Sequence, residues 1–491
     1  MRLADLATRI PGARLIGPGD AEVRRAVHDS RQVRPGDLFI ALEGTQTDGH
    51  RFVQPALEAG AAAAVVQREV DLPGPPPMLV VPDAREALGL CAHALAGDPT
   101  QRLTVCGITG TTGKTTTTFL ARSIFEQAGR PTGVIGTIGY LIGKREIPSR
   151  LTTPDADELA GFFAEMVGAG LEAAVMEVSS HALHQRRTAG IAFDVGAFTN
   201  LSPEHLDYHQ DMISYREAKG MLFEGLAEDA HAVLNADEDA SRTFAEATRA
   251  EVLWYGLKGG ADVAAEDIRS DTAGSRFTLA TPRGRADVRT ALLGTHNVYN
   301  VLTAAAVAEA VGVPMGAIVA GIEAVRVVRG RLEPVPTELP FSVLVDYAHK
   351  TDALEHALTT VRELVRGEGR LVVVFGCGGD RDRQKRPAMA EVAERLADRI
   401  VVTNDNPRSE RPEAIADEIL AGFTARDRVT VDLDRAAAIG RALGEARAGD
   451  VVIIAGKGHE TYQIIGDVTR PFDDREVAAA ALRRLEQSAT P

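Results

Sequence analysis

The chain has 491 residues, 45% hydrophobic and 25% charged, which is the composition of an ordinary folded protein with about three domains. A formal net charge of −15 argues against nucleic acid as a partner, and no apolar run approaches the ~20 residues of a membrane-spanning helix. Cys91, Cys106 and Cys377 are too few and too scattered for a disulfide framework or a zinc site; they fit a reducing cytoplasm, as does an N-terminal stretch without a signal-peptide core.

Residues 1–99 read as a first α/β unit. An Arg-Pro-Gly-Asp turn leads into a short strand, Leu38 to Leu42. A polar loop, Gly44 to His50, precedes a helix from Phe52 to Ala59 and a buried strand from Ala61 to Val66. Pro73 to Pro77 is a rigid loop, and Asp98-Pro99-Thr100 reads as a linker. Ser30 and the loop Thr45-Gln46-Thr47 could hold a polar ligand, although solvated loops are the simpler reading of those residues alone.

Residues 100–331 form the second unit. The apolar run Leu103 to Ile108 enters Gly110-Thr111-Thr112-Gly113-Lys114-Thr115-Thr116, and Ala121, Ile124 and Phe125 leave it with helical spacing. That is a strand, a glycine-rich turn and a helix start. Its backbone N–H groups can face a phosphate, Lys114 can reach the β- and γ-phosphates, and the Thr115 hydroxyl can sit on Mg²⁺. Ile108 stands where the strict Walker pattern has glycine, and Gly107 falls one residue early. Strands are expected at Thr132 to Ile138, Ala173 to Val178, Phe193 to Phe198 and His231 to Leu234, with a helix from Asp157 to Gly168, so a parallel sheet covered by helices follows. Val252 to Leu293 reads as a small antiparallel insert, and His296 to Val311 as a long helix.

Residues 332–491 repeat the alternation, with strands at Val343 to Val345, Leu371 to Phe375, Ile400 to Thr403, Val429 to Val431 and Val451 to Ala455. This is a second doubly wound domain without a phosphate loop of the first kind.

Several polar residues stand where such folds bind ligands. Glu177 ends a strand beside the phosphate loop, where Mg²⁺ is held. His205 and His209, four apart, would share a helix face; a single histidine near Mg²⁺ suits the context better than a zinc pair. Lys219 lies on a helix whose charged face turns apolar, where a solvated lysine is the plain reading. In the last domain the loops Cys377 to Arg386, Asn404 to Arg408 and Gly456 to Glu460 each follow a strand. Arg381 and Arg408 can clamp carboxylates and Glu460 can receive an ammonium, which describes a pocket for a multiply charged zwitterion.

In chain order, DSR with GDLF, GTTGKTT, LTTPD, MEVSSH, FTNLSPEHLDYH, HNVYN, GRLE, DYAHKTD, GCGGDRD, DNPR and GKGHE make the chain resemble the Mur ligases, the ATP-dependent amino-acid ligases of peptidoglycan synthesis. The resemblance covers essentially the whole length. It implies an N-terminal domain for a uridine nucleotide, a central P-loop-type ATPase domain with a parallel sheet, and a mobile C-terminal Rossmann-like domain. The reaction it implies is phosphorylation of the D-Glu carboxylate of UDP-MurNAc-L-Ala-D-Glu by ATP, followed by attack of a diamino acid on the acyl phosphate.

By motif position, Gly110 to Thr116, Asn297, Asn300, Arg331 and Asp346 resemble the ATP contacts. Thr115, Glu177 and His205 resemble Mg²⁺-site residues, and Lys219 aligns with the lysine that this family carbamylates to hold a second Mg²⁺. Lys114, His205 and Lys219 are thus the implied catalytic residues. Ser30, Thr45, Gln46 and Thr47 match uridine-diphosphate positions; Thr152, Thr153, Ser179, Gln185 and Arg187 match contacts to the muramyl peptide. Arg381, Asp405, Asn406, Pro407, Arg408, Gly456 and Glu460 match the diamino-acid pocket. The DNPR form is associated with meso-diaminopimelate, whose distal carboxylate Arg408 would answer; L-lysine and L-ornithine are the alternatives. A monomer acting in the cytoplasm is expected. A folylpolyglutamate-type ligase would lack the uridine domain and DNPR, and a P-loop motor or signalling NTPase would need no amino-acid pocket.

Overall fold

The computed structural model describes residues 1–489 except 45, 46, 73, 75, 272 and 366, so Thr45 and Gln46 lie outside the described residues. The chain divides into two compact units. One comprises Met1–Glu266, Leu279–Ala286 and Tyr299–Ile322; the other comprises Asp267–Thr278, Asp287–Val298 and Glu323–Pro491. No described helix is long and apolar enough to cross a membrane.

The first unit opens with a five-stranded sheet ordered Arg14–Ile16, Met78–Val80, Ala63–Val66, Leu38–Ile40 and Ala26–Val27. All its pairings are parallel except the first. Its core takes in Ala156 and Ala160 from the helix Ala156–Gly168, which packs on the helix Ala84–Leu95. The stretch read as a linker is therefore a tucked-in turn. Pro99 and Thr100 are buried, and the Thr100 hydroxyl accepts a hydrogen bond from the Ala192 amide at 3.2 Å.

His93, on the helix Ala84–Leu95, is 1% exposed and has no hydrogen-bond partner for either ring nitrogen among the described residues. Burial pushes its pKa down from 6.5 to about 4. The unfolded chain therefore binds this proton more readily. The stability that the neutral ring allows is intact above about pH 6.5 and is lost as pH falls toward 4. The thermal midpoint should drop across that window, and His93→Leu should drop less; an identical pH dependence in the variant would refute this origin.

The central sheet places the glycine-loop strand, Thr104–Thr109, between Ala173–Glu177 and Val195–Phe198, both parallel to it. The parallel run extends through Thr132–Ile135 on one side and through His231–Asn235 and Glu251–Gly256 on the other. The central strands are buried on both faces, as continuous apolar runs in a parallel sheet require. Two departures from the sequence reading stand out. The strand at Thr132 stops at Ile135 and turns at Gly136 into two short antiparallel strands, Tyr140–Ile142 and Arg145–Ile147. Glu251–Gly256, expected in an antiparallel insert, pairs parallel with both His231–Asn235 and Val263–Asp271. Three later strands, Val263–Asp271, Gly274–Thr281 and Gly284–Thr290, supply the strand-turn pattern expected there.

In the second unit five parallel strands run in the order Ser342–Asp346, Val451–Ala455, Leu371–Phe375, Arg399–Val402 and Val429–Val431, and a short antiparallel strand, Glu333–Pro334, lies at the edge. Side-chain alternation divides each central strand between two cores. Leu371, Val373 and Phe375 meet the helices Thr351–Arg362, Lys385–Leu396 and Pro412–Leu420, while Val372 and Val374 meet Arg435–Gly444 and Asp474–Ala489. This is the expected doubly wound arrangement, and it brings the three candidate loops to the carboxyl ends of parallel strands.

Candidate active site

In the first unit, register aligns the strand ends: Glu177 stands opposite Ile108, and Phe198 opposite Thr109. The loop after Thr109 therefore meets the turns after Glu177 and Phe198. Gly110 and Gly113 have φ of +147° and +84°, and a Cβ on either would overlap Thr199 Oγ1 or Asn300 Oδ1 respectively, so only glycine fits. Asn200 accepts from the Thr112 amide through Oδ1 at 3.0 Å, and Thr199 Oγ1 donates to the Thr112 carbonyl at 2.7 Å. Lys114 Nζ donates to the carbonyls of Gly110 and Thr111 at 2.7 and 2.8 Å, so its ammonium lies over its own loop. Thr115 and Thr116 are buried at the start of the helix Lys114–Gln127.

Glu177 is 2% exposed. Its carboxylate accepts from the Thr115 hydroxyl at 3.0 Å, the Thr137 amide at 2.8 Å and the Thr137 hydroxyl at 3.0 Å, and pairs with no cationic side chain among the described residues. A buried acid beside a helix-start hydroxyl is an all-oxygen donor set, which fits a hard divalent cation such as Mg²⁺. His205 is not on the expected helix face. It has φ +57° and precedes the four-residue helix Leu206–His209. Its ring lies edge-on to His181 at 4.6 Å, with Nε2 at 3.7 Å from Glu204. His209 is buried and bonded to Ser180 Oγ at 3.0 Å. Burial, then the charges of His181, His184 and Lys219, hold its pKa near 4.

Lys219, read from its helix as solvated, is 1% exposed on Met212–Glu224, with Nζ 4.3 Å from the Tyr215 ring centroid. The Tyr215 hydroxyl lies 3.2 Å from Thr111 Oγ1, so this helix is tied to the glycine loop.

The expected muramyl-peptide contacts form one connected group around Glu177. Thr152 Oγ1 lies 3.1 Å from Thr137 Oγ1, and Thr153 Oγ1 donates to the Glu177 carbonyl at 2.9 Å and accepts from the Ser179 amide at 3.0 Å. Arg187 donates to the Thr153 carbonyl at 3.0 Å and to Gln185 Oε1 at 2.6 Å, and pairs with Asp155 at 3.2 Å. Ser30 begins a 3₁₀ turn capped by Asp29, and Thr47 is exposed, its carbonyl accepting from the Gly44 amide at 3.0 Å.

In the second unit, Asn297 Nδ2 donates to the Leu293 carbonyl at 2.7 Å. Asp346 accepts from the amides of Leu332 and Ala348 at 2.7 and 2.9 Å. Burial raises its pKa against the pull of Arg331, whose guanidinium lies 5.3 Å from the Tyr347 ring centroid.

The three loops behind the strands are interlocked. Arg408, at φ +51°, donates through Nη1 to the Gly379 carbonyl at 2.8 Å and has no acidic partner among the described residues. Arg381 is exposed and bonds only the Asp380 carbonyl, at 3.1 Å, among the described residues. Asp405 and Asn406 are buried, and a Cβ on Gly456 would meet Asp405 Oδ2 at 2.6 Å. Glu460, read as an ammonium acceptor, already receives one from within the chain, from Lys457 Nζ at 3.0 Å.

Sequence reasoning missed the residues that hold these loops. Arg435 is fully buried, with Nε and Nη2 on Asp474 at 2.7 Å each, and it also donates to the carbonyls of Asn404 and Ala455 at 3.1 and 3.0 Å. Arg386, also fully buried, pairs with Glu410 and Glu418 at 2.8 and 2.7 Å. Their partners lie tens of residues away, Glu418 and Asp474 on other helices and Glu410 in the loop before one, and no local pattern marks the pairing. Asn200 was also passed over, although its place just beyond the strand Val195–Phe198 is a signal that could have found it.

A glycine-Lys-Thr loop beside a buried strand-end acid, on a central parallel sheet, defines a nucleotide-binding α/β enzyme. Family descriptions match along the chain: "Mur ligase family, catalytic domain" over residues 23–94, "Mur ligase middle domain" over 108–308, and "Mur ligase, glutamate ligase domain" over 330–458. A protein of Geobacillus thermodenitrificans (strain NG80-2) named UDP-N-acetylmuramoyl-L-alanyl-D-glutamate--2,6-diaminopimelate ligase is 46% identical, covering 98% of this chain and 99% of its own. A solved structure of a ligase with that name superposes with a TM-score of 0.73 at 32% identity, covering 99% of both chains. A folylpolyglutamate synthase structure from Mycobacterium tuberculosis shares the fold, with a TM-score of 0.63 at 21% identity over 80% of this chain and 93% of its own. The chain belongs to the Mur ligase family, and it is an ATP-dependent ligase.

Proposed function

We propose that the protein joins meso-2,6-diaminopimelate to the D-glutamate carboxylate of UDP-N-acetylmuramoyl-L-alanyl-D-glutamate, in cytoplasmic peptidoglycan precursor synthesis. The name and 46% identity of the Geobacillus relative support the reaction. The observation that carries the choice of amino acid is Arg408, a half-buried guanidinium without an acidic partner among the described residues, fixed in a loop at a strand end. An arginine left facing no carboxylate in a closed pocket would cost about 3–5 kcal/mol, and diaminopimelate supplies a distal carboxylate that lysine and ornithine lack.

A carboxylate is a poor electrophile at neutral pH, so the γ-phosphoryl group of ATP is first transferred to it. The resulting acyl phosphate is attacked by the free amine, and the tetrahedral intermediate collapses to amide and phosphate. Lys114 leaves its loop carbonyls to meet the phosphates, and the loop amides add donors at the helix N-terminus. Thr115, Glu177 and His205 would hold Mg²⁺, with a carbamate on Lys219 for a second ion; the metal supplies charge neutralisation on the phosphoryl oxygens. Burial of Lys219 beside the Tyr215 ring supports its place there. Thr152, Thr153, Ser179, Gln185 and Arg187 would orient the muramyl peptide, and Ser30 with the 45–47 loop the uridine diphosphate. Asn297, Asn300, Arg331 and Asp346 would contact ATP.

Substrate carrying ¹⁸O in the D-glutamate carboxylate should yield inorganic phosphate with one ¹⁸O; unlabelled phosphate would exclude the acyl phosphate. Arg408→Ala should raise the KM for diaminopimelate by about 10- to 100-fold, the worth of a charged hydrogen bond, and leave the KM for ATP nearly unchanged. Equal rises in both would remove Arg408 from the amino-acid pocket.

A further inference from the structure

We propose that Tyr208 is a positioning residue for the sugar-nucleotide substrate, whose hydroxyl holds Gln185, and through it Arg187, in the orientation that receives the muramyl peptide. The inference rests on the placement of the muramyl peptide given above and adds a residue that acts behind the contacts assigned there.

Three partners fix the plane of the Arg187 guanidinium, one on each nitrogen. Nη1 donates to the Thr153 carbonyl at 3.0 Å, Nη2 donates to Gln185 Oε1 at 2.6 Å, and Nε lies 3.2 Å from Asp155. Thr153 is itself tied to the Glu177 carbonyl and the Ser179 amide, so that side of the arginine is anchored in the fold. Gln185 is anchored differently. It follows the short helix Ser180–His184, and among the described residues its side-chain amide bonds only Arg187 and Tyr208. An arginine has donors and no acceptor, so the end of the amide that faces it is the oxygen. The other end, Nε2, therefore points at the Tyr208 hydroxyl and donates to it at 3.1 Å. His184 Nδ1 lies 2.9 Å from the same hydroxyl.

The hydroxyl and the ring of Tyr208 have separable roles. The half-buried ring packs on His181, with centroids 4.2 Å apart and planes 32° from parallel, and that contact does not need the oxygen. The oxygen sets the amide of Gln185. A primary amide has two N–H donors and two lone pairs, and Arg187 and Tyr208 take one of each. One donor and one acceptor are left, the pair that a peptide group in a bound substrate requires. Without the hydroxyl the amide is free to turn about its last torsion, and both the remaining pair and the third support of Arg187 lose their direction.

The test is Tyr208→Phe, which keeps the ring on His181 and deletes the hydroxyl. The KM for UDP-N-acetylmuramoyl-L-alanyl-D-glutamate should rise about 3- to 10-fold, the worth of one neutral hydrogen bond, with kcat and the KM for ATP within about twofold of the unmodified protein. Made in a Gln185→Ala background, the same substitution should add little, because the residue it acts through is gone. An unchanged KM in Tyr208→Phe, or equal effects with and without Gln185, overturns the proposal. Arg187→Ala tests the parent reading separately. If it leaves the sugar-nucleotide KM unchanged, the muramyl peptide does not bind here and the inference falls with it; if it raises that KM while Tyr208→Phe does not, the inference alone fails.

Discussion

Lys114→Ala should abolish ligation, lowering kcat by about 10³-fold or more, without a large change in thermal midpoint. In the structure the ammonium bonds two carbonyls of its own loop, Gly110 and Thr111, and is only partly buried. Those acceptors are weak competitors for a dianionic phosphoryl group, so the lysine is held ready at little cost and moves to the phosphates when they arrive. Its contribution grows as charge develops on the transferring group, which is where a positioned cation accelerates a reaction rather than merely binding substrate. The loop itself does not depend on it: Asn200 and Thr199 fix Thr112, and Gly110 and Gly113 pack against Thr199 and Asn300. Turnover within tenfold of the unmodified protein would show that phosphoryl transfer does not use this side chain.

Lys219→Ala should be nearly as damaging, with a fall of about 10²-fold or more in kcat, and activity should return in part when a short-chain acid such as formate is added. The reason is chemical. If Lys219 carries a carbamate, the lost group is an anion at the end of a side chain, and a small carboxylate can occupy the space left behind. Removing a 1%-exposed side chain also leaves a cavity, so some loss of stability is expected. Rescue by an acid separates the two effects, since a cavity has no need of a carboxylate. Activity close to that of the unmodified protein, or equal rescue by a neutral molecule of the same size, would rule out the carbamate.

Much of this architecture was legible because its signals are local. The run Leu103 to Ile108 is apolar on both faces, and a strand buried in a parallel sheet has to be. Glu177 is singled out by its place at a strand end beside the phosphate loop, and the structure puts its carboxylate 3.0 Å from the Thr115 hydroxyl. Gly107, which seemed out of step with the strict Walker pattern, is a strand residue on which a Cβ would meet Phe193 at 2.7 Å.

What escaped the sequence depends on long-range packing. His205 and His209 have helical spacing, yet the backbone turns left-handed at His205, and it is the rings of His181 and Tyr215 from other helices that both histidines pack against. Lys219 looked solvated because a helical pattern does not reveal that Tyr215 and the glycine loop cover that face. Lys457 reads as an ordinary lysine until Asn406, 51 residues earlier, is found against it. Arg386 closes the candidate loop that starts at Cys377 and Arg435 lies in no motif, and only the fold brings Glu410, Glu418 and Asp474 to them.

The most direct test is phosphate release with ATP, Mg²⁺ and UDP-N-acetylmuramoyl-L-alanyl-D-glutamate, adding meso-diaminopimelate, L-lysine or L-ornithine in turn. The account predicts release with diaminopimelate and little with the other two. Release driven equally by lysine or ornithine would contradict the role given to Arg408, and ATP hydrolysis indifferent to both the sugar nucleotide and the amino acid would contradict the ligase reaction itself.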